Sequence, residues 1–225
     1  MSKIITLTWW TGSWKTSITN AVVELFWKDI TKISHDDYYK DIADIPKKLQ
    51  MILNGKKIYN FDHPDALHTD MFEKHLEKLL SWKEVKIPKY IFWKWPILEA
   101  QTKKPNKIIF IEWLFPLVSK KICELSNFNI FVKVDEVHLL ARKIKREFWE
   151  DKTRDDVMNL WLSDTIDYYM NFIRDWYKKY VEPSEKLAHL VVNNNDLVKK
   201  WETPKMVEIV INELKNRYDL ILENM

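Results

Sequence analysis

The feature that most limits the fold of this chain is a series of short apolar runs, each separated from the next by helical periodicity. Lys3–Thr8, Lys107–Ile111 and Asn129–Val134 read as buried strands, with Thr31–Ser34 and His189–Val192 as shorter ones. Ile18, Ala21, Val22 and Leu25 recur at helical spacing over Lys15–Phe26. Leu67, Met71, Leu76, Leu79 and Leu80 mark one side of Pro64–Leu80. A basic helix is predicted over Val137–Phe148, a long helical stretch over Arg154–Tyr180 and a terminal helix over Pro204–Leu222, while Lys83–Phe92 reads as a strand pair or hairpin. Apolar strands alternating with helices predict an α/β fold whose parallel sheet carries helices on both faces. The 225 residues suffice for one domain with a substantial core, and no repeat or linker divides them.

The segment after the first strand is Trp9-Trp10-Thr11-Gly12-Ser13-Trp14-Lys15-Thr16, followed by Ser17. With glycine at 9 and 14 it would read G-x-x-x-x-G-K-T, a phosphate-binding loop in the required place between a strand and a helix. Such a loop wraps phosphates with backbone N–H groups, aided by the positive end of the helix dipole. Glycine is needed because backbone must come close to phosphate, and an indole would fill that space. The competing reading is that Lys15-Thr16 simply opens a helix and the tryptophans pack.

Composition matters at this point. A soluble chain averages about 7% glycine, or about 16 residues at this length; this one has 2, and 12 tryptophans. Trp113 stands at a strand exit, Trp27 at the end of the first helix, and Trp82 between a helix and a strand, all places where glycine is expected. Trp161, inside a helix, and Trp95, before Pro96, read as authentic. The pattern suggests that about nine of the 12 tryptophans stand for glycines, as when a gene that reads UGA as glycine is translated with UGA as tryptophan.

The remaining composition excludes some partners. A net charge of +3 demands neither nucleic acid nor a membrane. The lone Cys123 excludes an internal disulfide and fits a reducing compartment. No signal-like segment or run of about 18 apolar residues is present, so the expected location is the cytoplasm.

Further motifs follow in order. Ser34-His35-Asp36-Asp37-Tyr38-Tyr39 resembles the S-x-D-x-[FY]-Y segment of uridine kinases, and Phe61-Asp62-His63-Pro64-Asp65-Ala66 resembles their F-D-H-P-[DE]-A segment, the most specific match in the chain. Ile109 to Trp113 is similar to their strand ending in Glu-Gly, Arg142 to Arg146 with Arg154 looks like their basic lid, and Tyr180 to Ser184 resembles the stretch before their last strand. The resemblance, from Lys3 to about Val192, implies a three-layer P-loop NTPase fold, with a core over 1–192, a lid over about 137–156 and a terminal helix over 204–222.

The resemblance also implies roles. Asp36 would accept the proton of the 5′-hydroxyl as it attacks the γ-phosphate of ATP. Trp9 to Ser17 would form the ATP loop, with Lys15 on the β- and γ-phosphates. Thr16 would ligate Mg²⁺ and Glu112 would orient its water shell. Asp62 would bind the ribose hydroxyls, with Tyr39, Phe61 and Tyr90 framing the nucleoside. Lys143, Arg146 and Arg154 would close over the phosphates, with Arg154 also reaching substrate. His63 is expected to be structural. The family's oligomers make a homo-oligomer the expectation on resemblance alone.

One segment departs. Where uridine kinases carry Y-D-[FY]-x-x-H-[ST]-R, this chain reads Tyr90-Ile91-Phe92-Trp93-Lys94-Trp95-Pro96-Ile97, keeping only Tyr90 and Phe92. The nucleobase preference is thereby in doubt, more than phosphoryl transfer. The first reading is an ATP-dependent kinase of uridine or cytidine. Pantothenate or ribulose phosphate as acceptor, and a catalytically inactive P-loop protein, stay open. A single-stranded nucleic-acid binder would place tryptophans on one sheet face among basic residues; here they cluster at turns instead.

Overall fold

The structure is a computed structural model that describes residues 2–9, 15–53, 55–89, 100–114, 116–145, 162–195 and 205–218. The side chains of Lys15, Thr16, Ser17, Lys56 and Pro116 are not part of that description. Outside it lie Trp10 to Trp14 of the loop, Tyr90 to Ile97, Arg146, Arg154 and Trp161, and with them part of the expected lid.

Five strands form one parallel sheet: β1 (Lys3–Trp9), β2 (Ile30–Ser34), β7 (Ile108–Trp113), β8 (Phe128–Lys133) and β9 (Leu190–Asn193), in the order β2-β7-β1-β8-β9. β1 pairs with β7 from Lys3↔Ile108 to Thr8↔Trp113 and with β8 from Ile5↔Phe128 to Trp9↔Val132. Every residue of β7 is buried, which is why that run shows no polar alternation: helices cover both of its faces. Successive strand residues point to opposite sides. Glu112 meets Thr19 of α1 (Lys15–Leu25), whereas Trp113 meets His35, which stacks on Phe72 of α2 (Thr69–Leu80). α1 and α2 therefore flank opposite faces.

Two antiparallel ribbons are added to this core. β3 (Gln50–Leu53) pairs with β4 (Lys56–Tyr59), and β5 (Val85–Pro88) pairs with β6 (Ala100–Lys103). The first is absent from the sequence expectation. The second corrects it: the partner of β5 begins at Ala100, beyond Phe92. The expected helix from Pro64 is also corrected. Pro64–Ala66 is a separate 3-10 turn, Leu67 bridges to Tyr39, and α2 starts only at Thr69. Proline can open a turn, but the pairing of Leu67 with Tyr39 requires extended backbone that a helix cannot supply.

α3 (Lys120–Leu125), capped by the Ser119 hydroxyl accepting from the Ile122 amide, precedes β8. α4 (Glu136–Lys145) follows it. α5 (Leu162–Tyr168) runs on through two π-helical stretches, Tyr169–Ile173 and Tyr177–Val181. α6 (Lys205–Tyr218) packs beside α1 and buries Met206, Val207, Val210 and Leu214. Among the described residues no helix is long and apolar enough to cross a membrane.

The expected glycine sites behave differently from one another. At the end of α2 the Trp82 amide donates to the Leu79 carbonyl and the Lys83 amide to the Lys78 carbonyl, the paired bonds of a left-handed helix cap. Trp82 has φ +57°, the one positive φ at a non-glycine position among the described residues, and its indole is largely exposed. Trp27 shows no such conformation, so the backbone after α1 does not itself require glycine. Trp113 is fully buried at the end of β7.

Candidate active site at the carboxyl edge of the sheet

Parallel pairing brings Trp9, Ser34 and Glu112 to one edge, the edge where open α/β sheets bind ligands. β1 ends at Trp9 and α1 begins at Lys15, so the loop expected to hold phosphates joins a strand end to a helix N-terminus at this edge. β2 ends beside it in a 3-10 turn, His35–Tyr38, that carries Asp36.

Glu112 is buried and closely held. The Thr19 hydroxyl donates to Oε2 at 2.7 Å, and the Lys32 ammonium lies 2.8 Å from Oε1. Neither partner is foreseen from the motifs. The only signal for Lys32 is a charged residue inside a short strand, and Thr19 lies one turn beyond Thr16 on α1. Beside them the Gln101 amide donates to Asp37 at 3.1 Å, joining β6 to the turn after β2. Burial pushes the Lys103 ammonium below its usual pKa; Lys32 pushes the same way and Asp37 opposes both.

The acceptor motifs converge through backbone rather than through the sheet. The Lys40 amide donates to the Ala66 carbonyl and the His68 amide to the Tyr38 carbonyl, which zips the segment after the Asp36 turn to the end of the loop carrying Asp62. The Tyr39 and Phe61 rings meet edge to face at 5.7 Å. The Asp62 amide donates to Asn60 Oδ1 at 3.0 Å, which fixes the loop entry. His63 caps the next turn: its Nδ1 accepts from the Asp65 amide at 3.0 Å, and Nε2 lies 3.3 Å from the Tyr180 hydroxyl. Its expected structural role thus has a definite geometry, linking the Asp62 loop to the π-helical segment. Burial lowers the His63 pKa, Asp65 raises it, and Lys48 and Lys179 lower it further.

His35 turns away from this loop. It is buried, stacked on Phe72 at 4.2 Å and edge-on to Trp113 at 4.2 Å, and neither ring nitrogen has a hydrogen-bond partner. Desolvation lowers its pKa from 6.5 to about 3. His35 and Trp113 form the inner end of a groove of about 1110 Å³ between α2 and the 118–121 segment; neither Asp36 nor Asp62 lines it. The groove nevertheless adjoins the acceptor motifs, since His35, Lys40, Pro64, Asp65 and His68 also line it.

Lys143 is buried on α4, with its ammonium 5.9 Å from the centre of the Tyr168 ring, and Arg142 donates to the Asn194 carbonyl at 2.8 Å. Here both side chains pack toward the body of the protein. A lid role for Lys143 would require it to leave Tyr168.

The donor set suits Mg²⁺ in one respect. Among the described residues no three acidic, histidine or cysteine side chains form a metal cage. Mg²⁺ is commonly held by one or two protein oxygens together with substrate phosphates and water, and Glu112 offers a hard carboxylate beside the start of α1. Glu112 is thus the described carboxylate that would orient such an ion, whose charge would be shared with phosphate oxygens; the side chain of Thr16, the other expected ligand, lies outside the described residues.

Residues 4–199 match the Phosphoribulokinase / Uridine kinase family. The chain is 30% identical over 188 residues to the uridine kinases of Bacillus thuringiensis (strain Al Hakam) and Bacillus mycoides (strain KBAB4), spanning 80% of this chain and 80% of each relative. Its fold is similar to that of phosphoribulokinase from Rhodobacter spheroides, with TM-score 0.60 and 14% identity over 90% of this chain and 73% of that one. It is similar also to a possible uridine kinase from Bacillus stearothermophilus, with TM-score 0.52 and 14% identity over 85% and 88%.

Proposed function

We propose, from the premise that the chain belongs to the phosphoribulokinase / uridine kinase family, that it transfers the γ-phosphoryl group of ATP to the 5′-hydroxyl of uridine or cytidine. The observation that carries this reading is the backbone zipper between Tyr38–Lys40 and Ala66–His68, which sets the F-D-H-P loop beside the turn bearing Asp36. In this reading Asp36 takes the hydroxyl proton and Asp62 receives hydrogen bonds from the sugar hydroxyls, a task suited to an acceptor-only carboxylate. Tyr39 and Phe61 form the apolar wall, with Tyr90 from the following segment. Lys15 and the backbone of residues 9–14 hold the phosphates, Ser17 continues the loop into α1, and Thr16 with Glu112 serves Mg²⁺, which neutralises phosphate charge when bound. Lys143, Arg146 and Arg154 add positive charge over the transferred group.

This activity requires glycine at positions 9 and 14, and the same assignment extends to 82 and 113. The left-handed cap at Trp82 supports it independently of the loop, because only glycine adopts that conformation without steric cost. The test pairs the chain as written with a chain bearing glycine at 9, 10 and 14. Calorimetric titration with ATP-Mg should show binding only in the second, a gain of on the order of 10²-fold or more. That second chain should convert uridine to its monophosphate in preference to pantothenate or ribulose phosphate. Equal ATP binding by both chains, or preference for another acceptor, overturns the corresponding half of the reading.

A further inference from the structure

The two oxygens of the Glu112 carboxylate are held in unlike ways. Oε2 accepts from the Thr19 hydroxyl at 2.7 Å inside the protein, a contact fixed by α1. Oε1 meets the Lys32 ammonium at 2.8 Å; the Glu112 side chain is 4% exposed, but that of Lys32 is 32% exposed. One contact is therefore buried and short-stemmed. The other comes from a flexible four-carbon stem on β2 with a path to water. A carboxylate buried at this depth needs a counter-ion, since an unpaired buried charge is strongly unfavourable.

From this asymmetry we propose that Lys32 is a positioning residue for the metal step: it neutralises Glu112 in the metal-free protein and is exchanged for the divalent cation. Thr19 keeps the carboxylate oriented while Lys32 leaves. The inference rests on reading Glu112 as the carboxylate that serves Mg²⁺, but it needs neither the phosphate loop nor phosphoryl transfer. Lys32 can be released without stranding its charge, because its side chain is already about a third exposed and Asp37 lies in the same electrostatic neighbourhood as Lys32 and Lys103. The exchange trades a single positive charge beside Oε1 for a double one, so the site gains one net positive charge when the cation enters. It makes the metal affinity of the site a difference between two cations rather than a property of Glu112 alone.

The test uses the full chain, no nucleotide, and MgCl₂ alone as probe, at matched ionic strength against EDTA. Thermal unfolding is followed for the unaltered chain, Lys32→Met, Lys32→Gln and the double variant Lys32→Met/Glu112→Gln. In EDTA, Lys32→Met should melt about 3–8 °C lower, because Glu112 has lost its counter-ion. Added Mg²⁺ should recover much of that loss, with a half-saturating concentration about tenfold below that of the unaltered chain. The double variant should melt near the unaltered chain in EDTA and gain nothing from Mg²⁺. Lys32→Gln keeps a hydrogen-bonding head without charge; it should show the same Mg²⁺ response with a smaller loss, and it decides the matter if Lys32→Met does not fold. Two results overturn the proposal: single variants that respond to Mg²⁺ no more than the unaltered chain, or a double variant that responds as strongly as they do. Because no kinase assay enters, the two readings fail separately: a chain with glycine at 9, 10 and 14 that phosphorylates no nucleoside would sink the functional reading and leave an observed Mg²⁺ response standing.

Discussion

On the proposed reading of the site, its phosphate side and its acceptor side are built by different means. The phosphate side grows out of the parallel sheet: β1, β2 and β7 end together, and the register that pairs Thr8 with Trp113 and Ser34 with Glu112 also fixes where a loop and a carboxylate must lie. The acceptor side has no sheet beneath it. It is assembled from 3-10 turns, an isolated Tyr39↔Leu67 bridge and aromatic edges, with Asp62 carried on a loop tied by Asn60 and capped by His63. The comparison suggests that catalysis and acceptor choice can be broken separately in this chain.

The largest expected effect tests the junction between the two sides. In the chain with glycine at 9, 10 and 14, Asp36→Asn should lower kcat by about 10²- to 10⁴-fold while ATP binding, read by calorimetry, is unchanged. A near-normal kcat would remove Asp36 from the chemistry. Next, Asp62→Ala should act on the acceptor side alone. The KM for nucleoside should rise by an amount corresponding to about 1–3 kcal/mol, with the KM for ATP little changed. Equal effects on both substrates would mean that the Asp62 loop supports the whole edge and that the separation drawn above is wrong.

A third prediction concerns the wall behind Asp36. His35 is neutral when folded, because burial holds its pKa near 3, whereas its unfolded value is about 6.5. The unfolded state therefore binds the extra proton between those values. The stabilising difference is fully present above pH 6.5 and is lost as pH falls toward 3, with a slope of up to about 1.4 kcal/mol per pH unit. His63 and His75, also lowered by burial, act with the same sign. The diagnostic is accordingly the difference between the unaltered chain and His35→Phe, whose urea midpoint should fall less steeply between pH 7 and 5. Parallel slopes would show that His35 is not the buried neutral group described here.

The smallest effect is expected far from either side. Trp82→Gly should raise stability by about 1 kcal/mol, because the left-handed cap no longer carries a β-carbon and little buried surface is lost from an exposed indole. A fall in the urea midpoint would count against glycine at this position.

Much of the phosphate side was legible in the chain. Runs without polar alternation, such as Lys107–Ile111, can be covered only on both faces, so the parallel sheet follows from the pattern, and the strand ends follow from the sheet. The motifs at Asp36 and Asp62 were readable because their residue types and spacing survive. Other features left no local mark. β5 was visible as an apolar stretch, but its partner Ala100–Lys103 carries alternating small and polar residues across a gap of 11 positions, and no local periodicity announces a ribbon across such a gap. The start of α2 was misplaced because Leu67, apolar and correctly spaced for a helix, is instead held extended by Tyr39.

The sequence by itself determined the layers, the edge and the candidate chemistry, since these depend on periodicity and on residue type within a few positions. Only the tertiary structure decided who neutralises Glu112, which face His35 takes, and which of the suspect tryptophans sits in a conformation foreign to it. Lys32 and Glu112 lie 80 positions apart in the chain and meet at 2.8 Å because β2 and β7 are neighbours in register. His35 and Asp36 are adjacent in sequence, yet His35 is driven into the α2 face by stacking on Phe72. Trp27 and Trp82 look alike on paper, and only backbone geometry separates the one with a positive φ from the one without. Pair energies and dihedral angles arise from contacts between distant segments, and a linear pattern carries the residues for such contacts without their distances.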